Sequence, residues 1–98
     1  MKRFIAAVTG LTKDDEKSFI EFFKERGMGW WHRIDNVWLI ATSKDDIGAA
    51  EIRDFLHNIK DSRVSIVSEV DVSTWAGFGP KSTVDETFSW VERNWKES

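Results

Sequence analysis

The chain has 98 residues, of which 41% are hydrophobic and 32% charged, and its formal net charge at pH 7 is −3. This length suits a single domain, and the charge lacks the clustered basic excess of proteins that grip nucleic-acid phosphates. Cysteine is absent, which excludes disulfides and thiolate metal sites. Six tryptophans, seven phenylalanines and no tyrosine exceed what so small a core needs. Because tryptophan is enriched at interfaces, we expect some of these rings to lie at one.

The first predicted element is a strand from Arg3 to Thr9, with apolar residues on both of its faces, as in a central strand. The apolar run within Met1–Gly10 is too short for a signal peptide. No segment approaches the roughly 20 apolar residues of a membrane span. We therefore expect a cytoplasmic protein with no membrane partner.

The first predicted helix begins at Thr12, whose spacing to Asp15 resembles a capping box. The helix runs to about Arg26, and the glycines at positions 27 and 29 end it. Its apolar stripe consists of Phe19, Ile20 and Phe23.

A tight β-hairpin follows, with its turn at Asp35-Asn36, because both residues tolerate the positive φ of a two-residue turn. This turn pairs Ile34 with Val37, then Arg33 with Trp38, His32 with Leu39 and Trp31 with Ile40. One face of the hairpin then carries Trp30, His32, Ile34, Val37, Leu39 and Ala41, and the other carries Trp31, Arg33, Trp38 and Ile40. A sheet with one covered face alternates between apolar and polar residues. Both faces are apolar here, so we expect the second face to be covered too.

A second helix is predicted to begin at Ser43-Lys44-Asp45-Asp46, where acidic residues suit the positive end of the helix dipole. Its apolar stripe is Ile52, Phe55, Leu56 and Ile59. A strand from Arg63 to Val70 comes next. The residues of this strand that we expect to be buried are Val64, Ile66, Ser68 and Val70.

The order strand, helix, strand, strand, helix, strand predicts an α+β fold. It is the ferredoxin-like split βαβ arrangement (βαββαβ), a four-stranded antiparallel sheet with both helices on one face. Residues 1–72 form this core. Residues 73–98 add an aromatic loop with Trp75 and Phe78 and a third, C-terminal helix that packs on the same single domain and is a candidate cover for the open face.

Four motifs carry a resemblance to a known family: Gly29-Trp30-Trp31-His32, Trp38-Leu39-Ile40, Ile52-Arg53-Asp54-Phe55-Leu56 and Trp75-Ala76-Gly77-Phe78. In them the chain resembles the CRISPR-associated-protein-two-like ferredoxin-fold family, and more closely its uncharacterised bacterial and phage SinR-like relatives. The resemblance covers most of the chain and implies dimerisation through a sheet edge or open face. Nuclease-like members share an acidic residue at the end of the first strand. Here Val8-Thr9-Gly10 carries no acid, which argues against metal-dependent nuclease chemistry.

Other candidate chemistry has a simpler explanation at each position. His32 and His57 match no metal-ligand spacing and are interpreted as structural or solvent-facing, with pH sensing or acid–base chemistry as the alternative. Asp14-Asp15-Glu16 and Asp45-Asp46 could bind a hard metal ion, but both clusters fall at predicted helix starts. The sequence therefore predicts no catalytic residue, no metal site and no cofactor.

The tryptophans could stack nucleobases, but such platforms normally have neighbouring cations. Only Arg33 is near, and it faces Trp38, where a cation–π contact is the simpler explanation. The sequence thus favours a non-enzymatic interaction module, a homodimer that binds a protein partner; the resemblance suggests a phage or bacterial defence or toxin context. The alternatives are a metal-dependent nuclease of the same fold and a nucleic-acid-binding protein without catalysis. The predicted interaction surface consists of Trp30, Trp31, Arg33, Trp38, Trp75 and Phe78.

Overall fold

The computed structural model describes residues 1–59, 64–71, 75–77 and 84–95, with the backbone alone for 84–87. The elements are β1 (Lys2–Val8), α1 (Lys13–Glu25), β2 (Gly29–Ile34), β3 (Val37–Thr42), α2 (Ala49–Ile59), β4 (Ser65–Val70) and α3 (Val84–Asn94). Within these ranges, none of the helices has the length and apolar character needed to span a membrane.

The four strands form one open sheet in the order β2-β3-β1-β4, and every pair of neighbours is antiparallel. The predicted α+β class, the four-stranded antiparallel sheet and the third helix are therefore confirmed. β1 is a central strand, as its apolar faces predicted.

The main core lies between α1, α2 and the first face of the sheet. Alternate side chains of β1, those of Phe4, Ala6 and Val8, point into it and are fully buried. The helices contribute residues of their predicted stripes and one neighbouring phenylalanine: Phe19, Phe22, Phe23, Ile52 and Leu56. This packing fixes α1 and α2 on the same face of the sheet.

Local signals set both ends of α1 as predicted. The Thr12 hydroxyl accepts a hydrogen bond from the backbone N–H of Asp15 at 3.1 Å, and the Asp15 carboxylate accepts one from the N–H of Thr12 at 3.0 Å. This reciprocal pair satisfies two N–H groups that the helix start would otherwise leave free. At the other end Gly27 adopts a φ of +66°, which glycine allows at little cost.

The predicted start of α2 at Ser43-Lys44-Asp45-Asp46 is wrong, because the helix begins at Ala49. The Thr42 hydroxyl instead accepts a hydrogen bond from the N–H of Lys44, and the chain turns before it reaches the helix. The carbonyl oxygen of Gly48 then accepts hydrogen bonds from the N–H groups of Glu51 and Ile52 in the first turn of the helix. The pair Asp45-Asp46 thus lies outside the helix, and its explanation as a helix start is wrong as well.

The hairpin register differs from the prediction beyond its first pair. Ile34 pairs with Val37 and Asn36 has a φ of +67°, as expected, but Trp31 lies opposite Leu39 and Trp30 opposite Ile40. His32 and Arg33 together face the single residue Trp38, which is a β-bulge. The prediction assumed an unbroken period of two, and one extra residue exchanges the faces of everything beyond it.

Because of the bulge, the hairpin tryptophans lie on different faces of the sheet from those predicted. Trp30 and Trp38 join the core under α1, whereas Trp31 turns to the second face of the sheet. There it is buried with Val91 and Trp95 of the α3 segment. The expectation that something covers the second face is met by α3, near β2.

α3 leaves the β4 side of the second face uncovered. The prediction that Val64, Ile66 and Ser68 are buried is wrong, since all three are exposed, while Val70 is half-buried against the α3 cluster. Val67, on the opposite face of the strand, packs against the main core. The start of this predicted strand at Arg63 lies outside the described residues.

Candidate functional site

Two of the predicted interaction residues are buried inside their own chain. Trp38 is 1% exposed, and its ring centroid lies 4.9 Å from that of Phe19 in the main core. Trp31 is buried against Val91 and Trp95. A partner protein would not reach either ring without a rearrangement of the domain.

The other predicted residues are distributed over both faces of the sheet. Trp30 is half-buried and stacks on Phe23 at 5.9 Å, Arg33 is exposed, and Trp75 is half-buried beside Phe88 at 5.7 Å. Phe78 lies outside the described residues. The structure therefore does not gather the described residues of this set on one surface, and their role in binding stays a prediction.

His32 is the residue that stacks on Trp38, in the place where a cation–π contact with Arg33 was expected. The two ring centroids are 3.8 Å apart and the planes are 3° from parallel. The imidazole is held at both nitrogens: Nε2 lies 3.0 Å from the Glu16 carboxylate and Nδ1 lies 2.9 Å from the carbonyl oxygen of Val37. The bulge makes this possible because it keeps His32 on the same face as Trp38.

Two open clefts of about 360 Å³ each border this arrangement. Both are lined by Glu16, His32 and Trp38. The first cleft also reaches Trp30, Arg33 and Trp90, and the second reaches Lys13 and Asp35. Nothing in the sequence pattern pointed to the Glu16–His32 contact, because the two residues are joined only by tertiary packing.

The acidic clusters do not assemble a metal site in the part of the chain that the structure describes. No group of three or more histidine, aspartate or glutamate side chains converges there. Asp15 belongs to the capping box and Glu16 is paired with His32. These contacts give two of the predicted candidate ligands a structural role.

Among the described residues, an exposed apolar surface lies beside β4. Ile66 is 67% exposed, and it shares the second face with Ile5 and with Val64, whose carbonyl oxygen accepts a hydrogen bond from the N–H of Thr9. We call Ile5, Val64 and Ile66 the β4 strip. Sequence analysis missed it because the same alternation of apolar residues predicts burial when a helix covers the strand.

The two edges of the sheet differ in how open they are to another strand. Along β2 the bulge breaks the regular ladder, Arg33 is exposed, and the Trp90 ring lies so close that a Cβ added at Gly29 would be 3.1 Å from it. Bulges and exposed charges are common protections of strand edges. β4 pairs with β1 over six consecutive residues in one register, and its sequence contains no lysine, arginine or proline. Among the described residues no strand lies on its other side.

Comparisons of this chain with protein-family models, with curated proteins and with solved structures found no match.

Proposed function

We propose that this chain is a non-enzymatic protein-interaction module that works as a homodimer joined at β4. The observation that carries the proposal is a strand edge beside which no other described strand lies, together with the adjacent β4 strip. An exposed edge strand leaves a row of backbone N–H and C=O groups that can pair with another extended strand in place of water. A second copy of β4, related by a twofold axis, supplies such a strand.

The side chains of β4 are compatible with this pairing. In an antiparallel ladder centred on Val67, Glu69 of one copy lies opposite Ser65 of the other, so the only charged residue of the strand does not face itself. Ile66 is 67% exposed, so covering it fully contributes about 1–2 kcal/mol per copy. The dimer would then contain one continuous sheet of eight strands.

The strand order supports the ferredoxin-like arrangement that the sequence predicted, with the first and third strands in the centre. That fold and the location of the open edge agree with the proposed kinship to the CRISPR-associated-protein-two-like family, in which dimerisation through the sheet is expected. A further protein partner, in a defence or toxin context, is part of this kinship proposal. Trp30, Trp75 and Arg33 are the residues of the predicted surface that remain at least partly accessible for it.

The test is the oligomeric state of the protein and of two matched variants. Ile66→Lys places a charge in the proposed interface. Ile34→Lys places it at another exposed isoleucine, 54% accessible and about 14 Å away across three strand spacings. Light scattering coupled to size-exclusion chromatography gives the mass, and circular dichroism checks the fold.

We expect a dimer for the unchanged protein and for Ile34→Lys, and a folded monomer for Ile66→Lys. A monomeric unchanged protein at high micromolar concentration would refute the homodimer. A dimer that Ile66→Lys leaves intact would place its interface elsewhere. Metal-dependent cleavage of RNA or DNA by the pure protein would replace the proposal with the nuclease alternative.

A further inference from the structure

A third pocket, of about 360 Å³, lies on the second face of the sheet. β2 contributes Trp31 to its lining, β3 contributes Leu39 and α3 contributes Phe88, and the segment 75–77 lines it as well. Every described side chain in this lining is aliphatic or aromatic. The pocket therefore differs from the two clefts at Glu16, whose described lining includes charged side chains.

The aromatic part of the lining is built by the chain's own packing. The Phe88 ring lies 6.0 Å from the Trp31 ring with the planes 22° apart, and 5.7 Å from the Trp75 ring with the planes 34° apart. A Cβ added at Gly77 would be 2.7 Å from the Phe88 ring, so a glycine is what lets the segment 75–77 lie so close to α3. The pocket is thus formed by the fold before any ligand enters it.

The volume of the pocket indicates the size of molecule that fits. Ligand pockets usually measure about 300–1,000 Å³. A dry cavity of about 150 Å³ lined by leucine, isoleucine and phenylalanine binds benzene. The present pocket is about twice as large, which is room for two fused aromatic rings.

The lining indicates the chemistry of that molecule. A charged group that leaves water needs a partner of opposite charge or several hydrogen bonds, and the described side chains of this pocket provide neither. Aromatic rings attract a flat aromatic molecule that can pack against them in an offset stack or edge to face. The half-buried rings of Trp75 and Phe88 offer such a surface.

We propose that this pocket binds a small, uncharged molecule with two fused aromatic rings, of the size of an indole or a naphthalene. Such a ligand covers apolar surface of Leu39, Trp75 and Phe88 that is half-exposed in the free chain. The site goes beyond the homodimer and does not depend on it. The pocket lies at β2 and β3, whereas the proposed dimer edge is β4, with β1 in between.

The probe that tests the site is 5-fluoroindole, a neutral two-ring compound whose fluorine signal is followed by nuclear magnetic resonance. We expect saturable binding to the unchanged protein with a dissociation constant below about 1 mM, a modest affinity for a ligand of about ten heavy atoms. The matched compound is 5-fluorotryptophan, which carries an ammonium and a carboxylate on the same ring system, and we expect it to bind at least about tenfold more weakly. Absence of saturable 5-fluoroindole binding up to the solubility limit, or equal binding of the two compounds, would overturn the proposal.

The indole N–H signals of the tryptophans report where the probe binds. We expect 5-fluoroindole to shift the signals of Trp31 and Trp75, which line the pocket. The signals of Trp30 and Trp38, which belong to the main core on the other face, should stay in place. Shifts confined to Trp30 and Trp38 would place the probe in a cleft beside Glu16 and would contradict the assigned site.

Two matched variants test the site by filling it. Ala76 is exposed and lines the pocket, so Ala76→Phe takes up part of its volume without changing a buried residue. The control is Ala50→Phe, at an exposed alanine of α2, the helix that packs on the opposite face of the sheet. We expect Ala76→Phe to weaken 5-fluoroindole binding several-fold and Ala50→Phe to leave it unchanged, with both variants folded by circular dichroism. Equal binding by the two variants would argue against this pocket as the site.

Light scattering in the presence of 5-fluoroindole distinguishes a free ligand from a side chain of another copy. We expect the probe to leave the molecular mass of the unchanged protein as it is. A lower mass in the presence of the probe would show that the pocket holds part of a second copy of this chain, and the small-molecule proposal would fail. The binding measurement itself has the same meaning for a monomer and for a dimer, so its failure is separate from that of the homodimer.

Discussion

Substitution of Trp38 tests whether this tryptophan belongs to the core or to an interaction surface. The residue is 1% exposed and its ring contacts those of Phe19, Phe23 and His32 at centroid distances of 4.9, 6.0 and 3.8 Å. Truncation of a buried aromatic side chain to alanine costs about 3–5 kcal/mol of unfolding free energy. The total free energy of unfolding of a native domain is about 5–15 kcal/mol. We therefore expect Trp38→Ala to leave a marginally folded protein.

Trp38→Phe isolates the ring from its N–H group. Because the buried Nε1 has no described hydrogen-bond partner, removing it loses no hydrogen bond and removes the cost of an unpaired donor, about 1–3 kcal/mol. The smaller ring loses packing energy of a similar magnitude. We therefore expect the free energy of unfolding of this variant to be within about 1 kcal/mol of that of the unchanged protein.

The assay for both variants is urea unfolding followed by circular dichroism at a fixed pH, with Trp75→Ala as the control for loss of a half-buried tryptophan. We expect Trp38→Ala to be the most destabilised of the three. If Trp38→Ala lowers the free energy of unfolding by less than about 1 kcal/mol and leaves its dependence on urea concentration unchanged, the assignment of Trp38 to the core is refuted. Weakened association without loss of stability would restore Trp38 to the interaction surface.

Two further predictions concern the ends of α1. Thr12→Ala removes the hydroxyl that accepts a hydrogen bond from the Asp15 N–H, and we expect the free energy of unfolding to fall by about 1 kcal/mol in urea. An unchanged unfolding midpoint would mean that water replaces the cap. Gly27→Ala places an alanine at a backbone φ of +66°, and we expect the free energy of unfolding to fall by about 1–2 kcal/mol. The control is Gly48→Ala, where an added Cβ meets no atom within 4 Å, and an equal loss in both variants would argue against backbone strain as the cause.

The fold could be anticipated where neighbouring residues in the sequence supply the signal. The Thr12–Asp15 cap, the turn at Asp35-Asn36 and the stripe of Ile52 and Leu56 depend on contacts within a few residues, and all are present as predicted. The start of α2 failed because Ser43 to Asp46 resembles a helix start, while the Thr42 hydroxyl bonds the N–H of Lys44 in a turn instead. A local pattern alone does not distinguish these two uses of the same polar residues.

The candidate surfaces could not be predicted because they depend on where α3 lies. The apolar alternation in β4 is compatible with burial or with an interface, and α3 decides the matter by covering Trp31 rather than Ile66. From the abundance of tryptophan we expected some rings to lie at an interface, and this stays a prediction. The tryptophan content did not indicate that Trp38 is interior while Ile66 is exposed.

The sequence by itself determined the kinds and order of the elements, because helix caps, hairpin turns and hydrophobic periods are local properties of the chain. Tertiary structure decided the rest. The bulge at His32 and Arg33 reverses the facing of the hairpin, so that Trp30 and Trp38 lie in the main core and Trp31 lies with Val91 and Trp95 on the other face. The Glu16–His32 contact and the open edge at β4 arise in the same way. They depend on residues that only the folded chain brings together.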